Sequence, residues 1–152
     1  MANYYDITKQ IHDFFIANPM CNYVTKGSLD ELMNAKHDMY PLAHVQINNA
    51  TIQGHSLRYN ISVSVMDLLD YSKEQPADRY IGNSNVDDVL NASLLLLNKF
   101  HESCIRGDMW DNDYHIEDSA GSIEFFEERF IDNVAGCTMT FDLVTPNTMT
   151  KC

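Results

Sequence analysis

The sequence predicts an α+β fold: a single antiparallel sheet with two main helices packed on one face, in the order α-β-β-β-α-β-β. Two observations predict the helices. Ile7, Ile11, Phe14 and Phe15 recur at the spacing of one helical stripe. Val86, Val89, Leu90, Leu94, Leu97, Phe100, Cys104 and Ile105 do the same over a longer run. A third observation predicts the sheet, because Leu57, Tyr59, Ile61, Val63 and Val65 alternate strictly with Arg58, Asn60, Ser62 and Ser64. Such alternation belongs to antiparallel sheets with one covered face, whereas parallel strands tend to be apolar throughout.

Each element has its own signal. The first helix runs from about residue 4 to Asn18, and Pro19 stops it. A short extended piece is expected from Cys21 to Thr25, followed by a turn at Gly27-Ser28. Leu29 to Met39 mixes polar residues in a way that fits a helical turn or a surface loop. Pro41 opens an extended segment from Leu42 to Asn48, and Gly54 separates it from the alternating strand, Leu57 to Val65. Asp70 to Asn83 holds Pro76, several charges and Gly82, and reads as an exposed connection.

Ser84 with Asp87 three residues later resembles a capping box at the start of the second helix, and Gly107 ends that helix. Asp108 to Gly121 is acidic and loop-like, with a short extended stretch near Tyr114 and Ile116. Ile123 to Phe126 is extended. Cys137, Met139, Phe141 and Leu143 alternate with Thr138, Thr140 and Asp142 in a last strand that stops before Pro146. The 152 residues suit one domain, 1–152, and show no internal repeat, low-complexity segment or linker.

Charge narrows the function. Ten Lys and Arg against 22 Asp and Glu give −12, which opposes binding to phosphate backbones or to anionic membranes. The longest apolar run, Leu94 to Leu97, is far short of the roughly 20 residues that span a bilayer. The first residues lack a basic start and apolar core, so export is not expected. Cys21, Cys104, Cys137 and Cys152 contain no C-x-x-C pair and fit buried thiols in a reducing compartment.

Site chemistry is sparse. Asp111, Asp113 and His115 alternate as in a calcium loop, but Ile116 stands where the turn needs Gly and the closing Glu is absent. No metal or other cofactor is therefore expected. Six histidines form neither H-x-x-x-H nor H-E-x-x-H, and no G-x-S-x-G, phosphate loop or dinucleotide fingerprint occurs. Cys104 lies near a helix C-terminus, where the dipole raises a thiol pKa. No catalytic, cofactor-binding or metal residue is assigned. A ligand-binding or hydrolytic α+β domain would require Asp67, Asp70, His44 and Cys137 to converge.

Several strings resemble one family. They are Tyr40-Pro41-Leu42-Ala43-His44-Val45 opening a strand, Val65-Met66-Asp67-Leu68-Leu69-Asp70 closing one, and the helix Asn91 to Phe100 with Arg106-Gly107-Asp108 after it. The remaining strings are Phe125-Phe126-Glu127-Glu128-Arg129-Phe130, Ala135-Gly136-Cys137 and Pro146-Asn147-Thr148-Met149. Over about residues 20 to 152 the chain resembles the head-to-tail neck and tail-terminator-like proteins of tailed bacteriophages, although Cys137 stands where these usually carry an aromatic residue.

The resemblance implies a non-enzymatic α+β virion subunit, assembled in the host cytoplasm. Its first partner would be itself, in a closed ring that is commonly a hexamer, with a dodecamer as the other expectation. The ring would cap the tail tube or sit at the head–tail junction, against other neck, portal or tail proteins. A head-side adaptor or a tail ring of a short-tailed phage is the alternative. Genomic DNA would pass through without specific contact, and no membrane is involved. A ring needs two different mating patches per subunit, for which the long strand and the Asp70 to Asn83 connection are candidates.

Overall fold

The computed structural model describes residues 4–27, 40–69, 80, 85–117, 120–129 and 134–147. Helix α1 (Tyr4–Ile16) forms where the apolar stripe recurs, and it buries Ile7, Ile11 and Phe15. Helix α2 (Val86–Arg106) buries Val89, Ser93, Leu96, Leu97, Phe100 and Cys104. The buried stripe is therefore narrower than the apolar residues suggested, with Leu90, Leu94 and Ile105 at its margins. Gly107 ends α2 in an extended conformation, φ −121°, and its N–H still reaches the Ser103 carbonyl.

The cap of α2 differs from the expected box. Ser84 lies outside the described residues, and the N-cap is Asn85, whose side chain makes no cap bond and instead donates to the Leu68 carbonyl at 3.2 Å. That bond ties the start of α2 to the end of the third strand. Acidic Asp87 and Asp88 complement the helix dipole in the first turn.

Among the described residues six strands form the sheet: β1 (Tyr23–Lys26), β2 (Leu42–Gln53), β3 (Ser56–Leu68), β4 (His115–Ile116), β5 (Ser122–Arg129) and β6 (Val134–Pro146). Their spatial order is β1-β2-β3-β6-β4, with β5 also paired to β6. The α+β class and the sequence of main elements agree with expectation, but the sheet is mixed rather than wholly antiparallel. β1 runs parallel to β2, pairing Tyr23 with Leu42 through Lys26 with Val45. A four-residue strand is too short for its pattern to reveal direction. A third helix, α3 (Asp108–Asp111), anchored by buried Met109, occupies the start of the stretch expected to be loop.

β2 extends five residues beyond the expected Asn48, to Gln53. A register shift between Ile47 and Asn49 explains why: the bulge breaks the period-2 alternation that marks a strand. Gly54 then opens a two-residue hairpin turn with φ +56°, a conformation that glycine adopts without strain. The expected connection from Asp70 to Asn83 and the segment Leu29 to Met39 lie outside the described residues, apart from Tyr80.

Both helices cover one face of the sheet. Ala43 and Val45 of β2, Leu57, Tyr59, Ile61, Val63 and Val65 of β3, and Cys137, Met139, Phe141 and Leu143 of β6 share a core with α1 and α2. Phe100 is its keystone: it stacks on Phe15 at 5.2 Å, meets Phe14 edge-on at 5.2 Å and reaches Phe141 at 5.5 Å. A smaller cluster of Tyr40, Leu42, Met66, Phe126 and Val134 sits at one end of the opposite face. There β3 and β6 approach so closely that a Cβ on Gly136 would lie 1.9 Å from the Val65 carbonyl oxygen. Only glycine fits.

Candidate functional site

The face of the sheet away from the helices carries a hydrogen-bonded polar ladder, because the alternate residues of β2, β3 and β6 are short and polar. Asn48 donates to Asn60 Oδ1 at 2.8 Å and to Ser62 Oγ at 3.0 Å, and Asn60 donates to Asp142 at 2.9 Å. Ser62 pairs with Thr140 at 3.2 Å and Ser64 with Thr138 at 2.8 Å. Arg58 forms an ion pair with Glu117, linking β3 to the end of β4. These bonds tie the side chains of the three strands together, while the buried Arg58 Nε has no hydrogen-bond partner among the described residues.

His44 is fully buried on this face. Its Nε2 lies 2.9 Å from the Gly27 carbonyl, which can only accept, so Nε2 is the donor. Nδ1 lies 2.7 Å from the Thr25 hydroxyl, within hydrogen-bond distance. The ring thus links β1 to β2.

Of the four residues that a ligand-binding or hydrolytic site would need, His44 lies on the sheet face opposite to Cys137 and Asp67. Cys137 pairs with Val65 on the core face, opposite to His44, and burial pushes its thiol up to about 11. Asp67 pairs with Ala135, on the same face as Cys137 but two residues further along β3, and burial raises its carboxyl above the ordinary value, partly offset by the Leu68 N–H. Asp70 is outside the described residues. Cys104 is pushed up to about 12 by burial, as its helix position suggested in direction. Burial also raises the Cys21 thiol, and Cys152 lies outside the described residues.

The acidic turn is shaped by stacking. His115 stacks on Trp110 at 3.8 Å, and its Nε2 meets the Trp110 carbonyl at 3.2 Å. Asp113 adopts φ +65°, a left-handed conformation that aspartate tolerates better than most residues. Among the described residues, no group of three or more His, Cys, Asp or Glu is arranged to hold a metal ion. No described helix is long and apolar enough to cross a membrane.

What remains open is an edge of the sheet with a cavity beside it, and a cleft among the helices. On one side, β1 pairs with β2 only as far as Val45, so the outer edge of β2 from Gln46 to Gln53 has no paired strand among the described residues. That stretch carries no Lys, Arg, Asp or Glu, and its Ile52 is 73% exposed. Beside this edge, a cavity of about 300 Å³ between α1 and β1 is lined by Thr8, Lys9, His12, Thr25, Lys26 and Val45, among others.

The cleft is of another kind. It measures about 670 Å³ and lies between the end of α1 and α3, bordered by Asp13, Phe14, Asn18, Asp108, Met109 and Asp111, among others. Neither opening was legible in the sequence, because each is assembled from two or three elements whose distances in the chain carry no local signal. No protein-family model matches this chain, and no curated protein matches it either.

Proposed function

We propose that this chain is a non-enzymatic virion structural protein of a tailed bacteriophage, forming a ring that caps the tail tube or sits at the head–tail junction. The observation that carries the reading is the pair of unlike sheet ends. One end presents the uncharged outer edge of β2. The other presents β5 and the short β4, both laid along β6.

Exposed edges in soluble proteins are ordinarily blunted by charge, proline or brevity. The outer part of β2, Gln46 to Gln53, carries no charge and no proline, and its one interruption is the bulge at Ile47, which suits an edge meant to be covered. Two different ends on one subunit are what a head-to-tail contact requires, and such contacts close into rings when the rotation allows. The family resemblance supports the same reading from another direction. Leu42, Met66 and Gly136, taken from three separate strings, are register neighbours, and Phe126 of a fourth string lies opposite Gly136. Four of the six strings therefore meet at one packed end of the sheet.

In this reading the main partner is a second copy, as a hexamer or a dodecamer, stacked against neck, portal or tail proteins of the virion. A head-side adaptor is the other position for the same ring. The acidic charge of −12 suits a channel through which DNA passes, since like charges do not adhere. The test is native mass by light scattering over a range of protein concentration, with particles imaged by electron microscopy. A discrete six- or twelve-subunit ring supports the proposal. A strict monomer at every concentration overturns autonomous ring assembly and directs attention to small-molecule screens.

A further inference from the structure

Two cavities border α1, one with lysines and one with carboxylates in its lining, and Lys9 and Asp13 of the helix stand about 40° apart between them. Counting about 100° per residue, Thr8, Lys9 and His12 lie on one side of the buried stripe Ile7, Ile11 and Phe15, while Gln10, Asp13 and Ala17 lie on the other. Each flank borders a cavity. Lys9 and His12 are joined by Lys26 of β1 around the smaller one, at the β1–β2 end of the sheet. Asp13 is joined by Asp108 and Asp111 of α3 around the larger one, between the end of α1 and α3.

The smaller cavity is unusual for this molecule. The chain has only ten Lys and Arg against 22 acids, yet two lysines meet at one cavity with no carboxylate in its lining. Neither Lys9 nor Lys26 forms an ion pair with another described residue, whereas Arg58 and Arg106 are paired to Glu117 and Glu102. Lys26 is steered by the Tyr4 ring, with its Nζ 5.6 Å from the centroid. His12 stays beside Asp13, its Nδ1 3.2 Å from the carboxylate, so the two lysines carry the positive field.

We propose that this basic notch is one half of a head-to-tail contact between copies, in which Lys9 and Lys26 receive the carboxylates of Asp108 and Asp111 from the next copy. The inference rests on the ring reading and names its contact. A second copy is the occupant that charge complementarity selects, because each copy offers both the notch and, across α1, its acidic counterpart. Two copies joined this way leave one notch and one cleft unused, so association continues until the ring closes. The acidic counterpart is firmly held, since Met109 is buried and its N–H bonds to Ser103 Oγ at 3.3 Å. Lys9, Lys26, Asp108 and Asp111 themselves are exposed, so reversing their charge leaves the core intact.

The experiment compares three full-length variants with the parent chain by sedimentation and light scattering, after circular dichroism confirms folding. Lys9→Glu with Lys26→Glu is expected to weaken association roughly a hundredfold, as loss and reversal of close charge pairs does. Asp108→Lys with Asp111→Lys is expected to do the same. Mixing the two variants restores rings, because each face again meets its opposite sign, and so does placing all four changes in one chain.

The outcomes separate two failures. If the parent chain forms rings and both reversals keep them at unchanged affinity, this contact is wrong and the ring reading stands. If the parent chain stays monomeric at every concentration, the ring reading fails and the contact with it. An assembly that stops at a dimer overturns the contact as well, since a head-to-tail pair leaves both ends open. Loss of rings in both variants without recovery on mixing also overturns it, because the sign of the charges would then not be what joins the copies.

Discussion

The two faces of the central sheet are built from the same strands, yet they do different work. On the helix-covered face, Ile61, Val63, Met139 and Phe141 are almost wholly buried. On the other face, Asn60, Ser62, Thr140 and Asp142 occupy the intervening positions and bond to one another. The difference teaches where stability resides. Burial of apolar surface gives roughly 25 cal/mol per Å², whereas exchange of a water hydrogen bond for a protein one nets about 1 kcal/mol or less. The covered face holds the fold, and the ladder fixes register.

Removing the keystone of the covered face breaks the comparison most strongly. Phe100→Ala is expected to cost about 3–5 kcal/mol, because Phe100 is 0% exposed and joins α1, α2 and β6 through three ring contacts. Ser62→Ala on the open face is expected to cost less than about 0.5 kcal/mol, since its partners remain exposed to water. Urea denaturation of both variants measures the contrast. Equal losses would mean that the ladder, not the core, carries the sheet.

Gly136→Ala comes next. A methyl group there would collide with the backbone of β3 rather than with a side chain that can turn aside. The expected loss is about 3 kcal/mol, the upper end of ordinary overpacking. The strands would have to separate beside Tyr40, Leu42 and Met66, so near-ultraviolet circular dichroism of tyrosine should change along with the denaturation midpoint.

Thr145 tests the covered face from the opposite direction. It pairs with Leu57, is 1% exposed, and its hydroxyl has no hydrogen-bond partner among the described residues. Thr145→Val keeps the shape and removes the unsatisfied group, so it should stabilise by about 1 kcal/mol. A loss of stability would show that the hydroxyl has a partner after all.

How much of this was legible in the sequence follows from what sets each feature. α1, α2, β3 and β6 were legible because their periodicity is local and their apolar positions face one core. The outer half of β2 was hidden by the bulge at Ile47, and the parallel pairing of β1 by its four-residue length. His44 gave no local signal of its role, since its partners, Thr25 and Gly27, are set by that same parallel pairing. The charged linings of the cavities beside α1 were equally invisible, because Lys26 and Asp108 join them only through tertiary packing. The one-turn helix α3 was missed for a local reason, since four residues are too few to show a periodicity, whereas the direction of β1 and the role of His44 depended on long-range pairing.

The smallest expected effect concerns the carboxyl at the end of β3. Asp67 is half-buried, and burial holds its pKa above the ordinary 3.8 despite the stabilising Leu68 N–H. The folded state therefore retains a proton that the unfolded chain has already released. For such a group, stability is fully present below the unfolded pKa and is lost as pH rises toward and through the folded one. Because 22 acids titrate together, the measurement is the difference between parent and Asp67→Asn stability across the acid range. The parent should lose stability relative to the variant as pH rises from about 4. A flat difference would mean that water reaches the Asp67 carboxylate and that this end of the sheet is as open as the polar ladder.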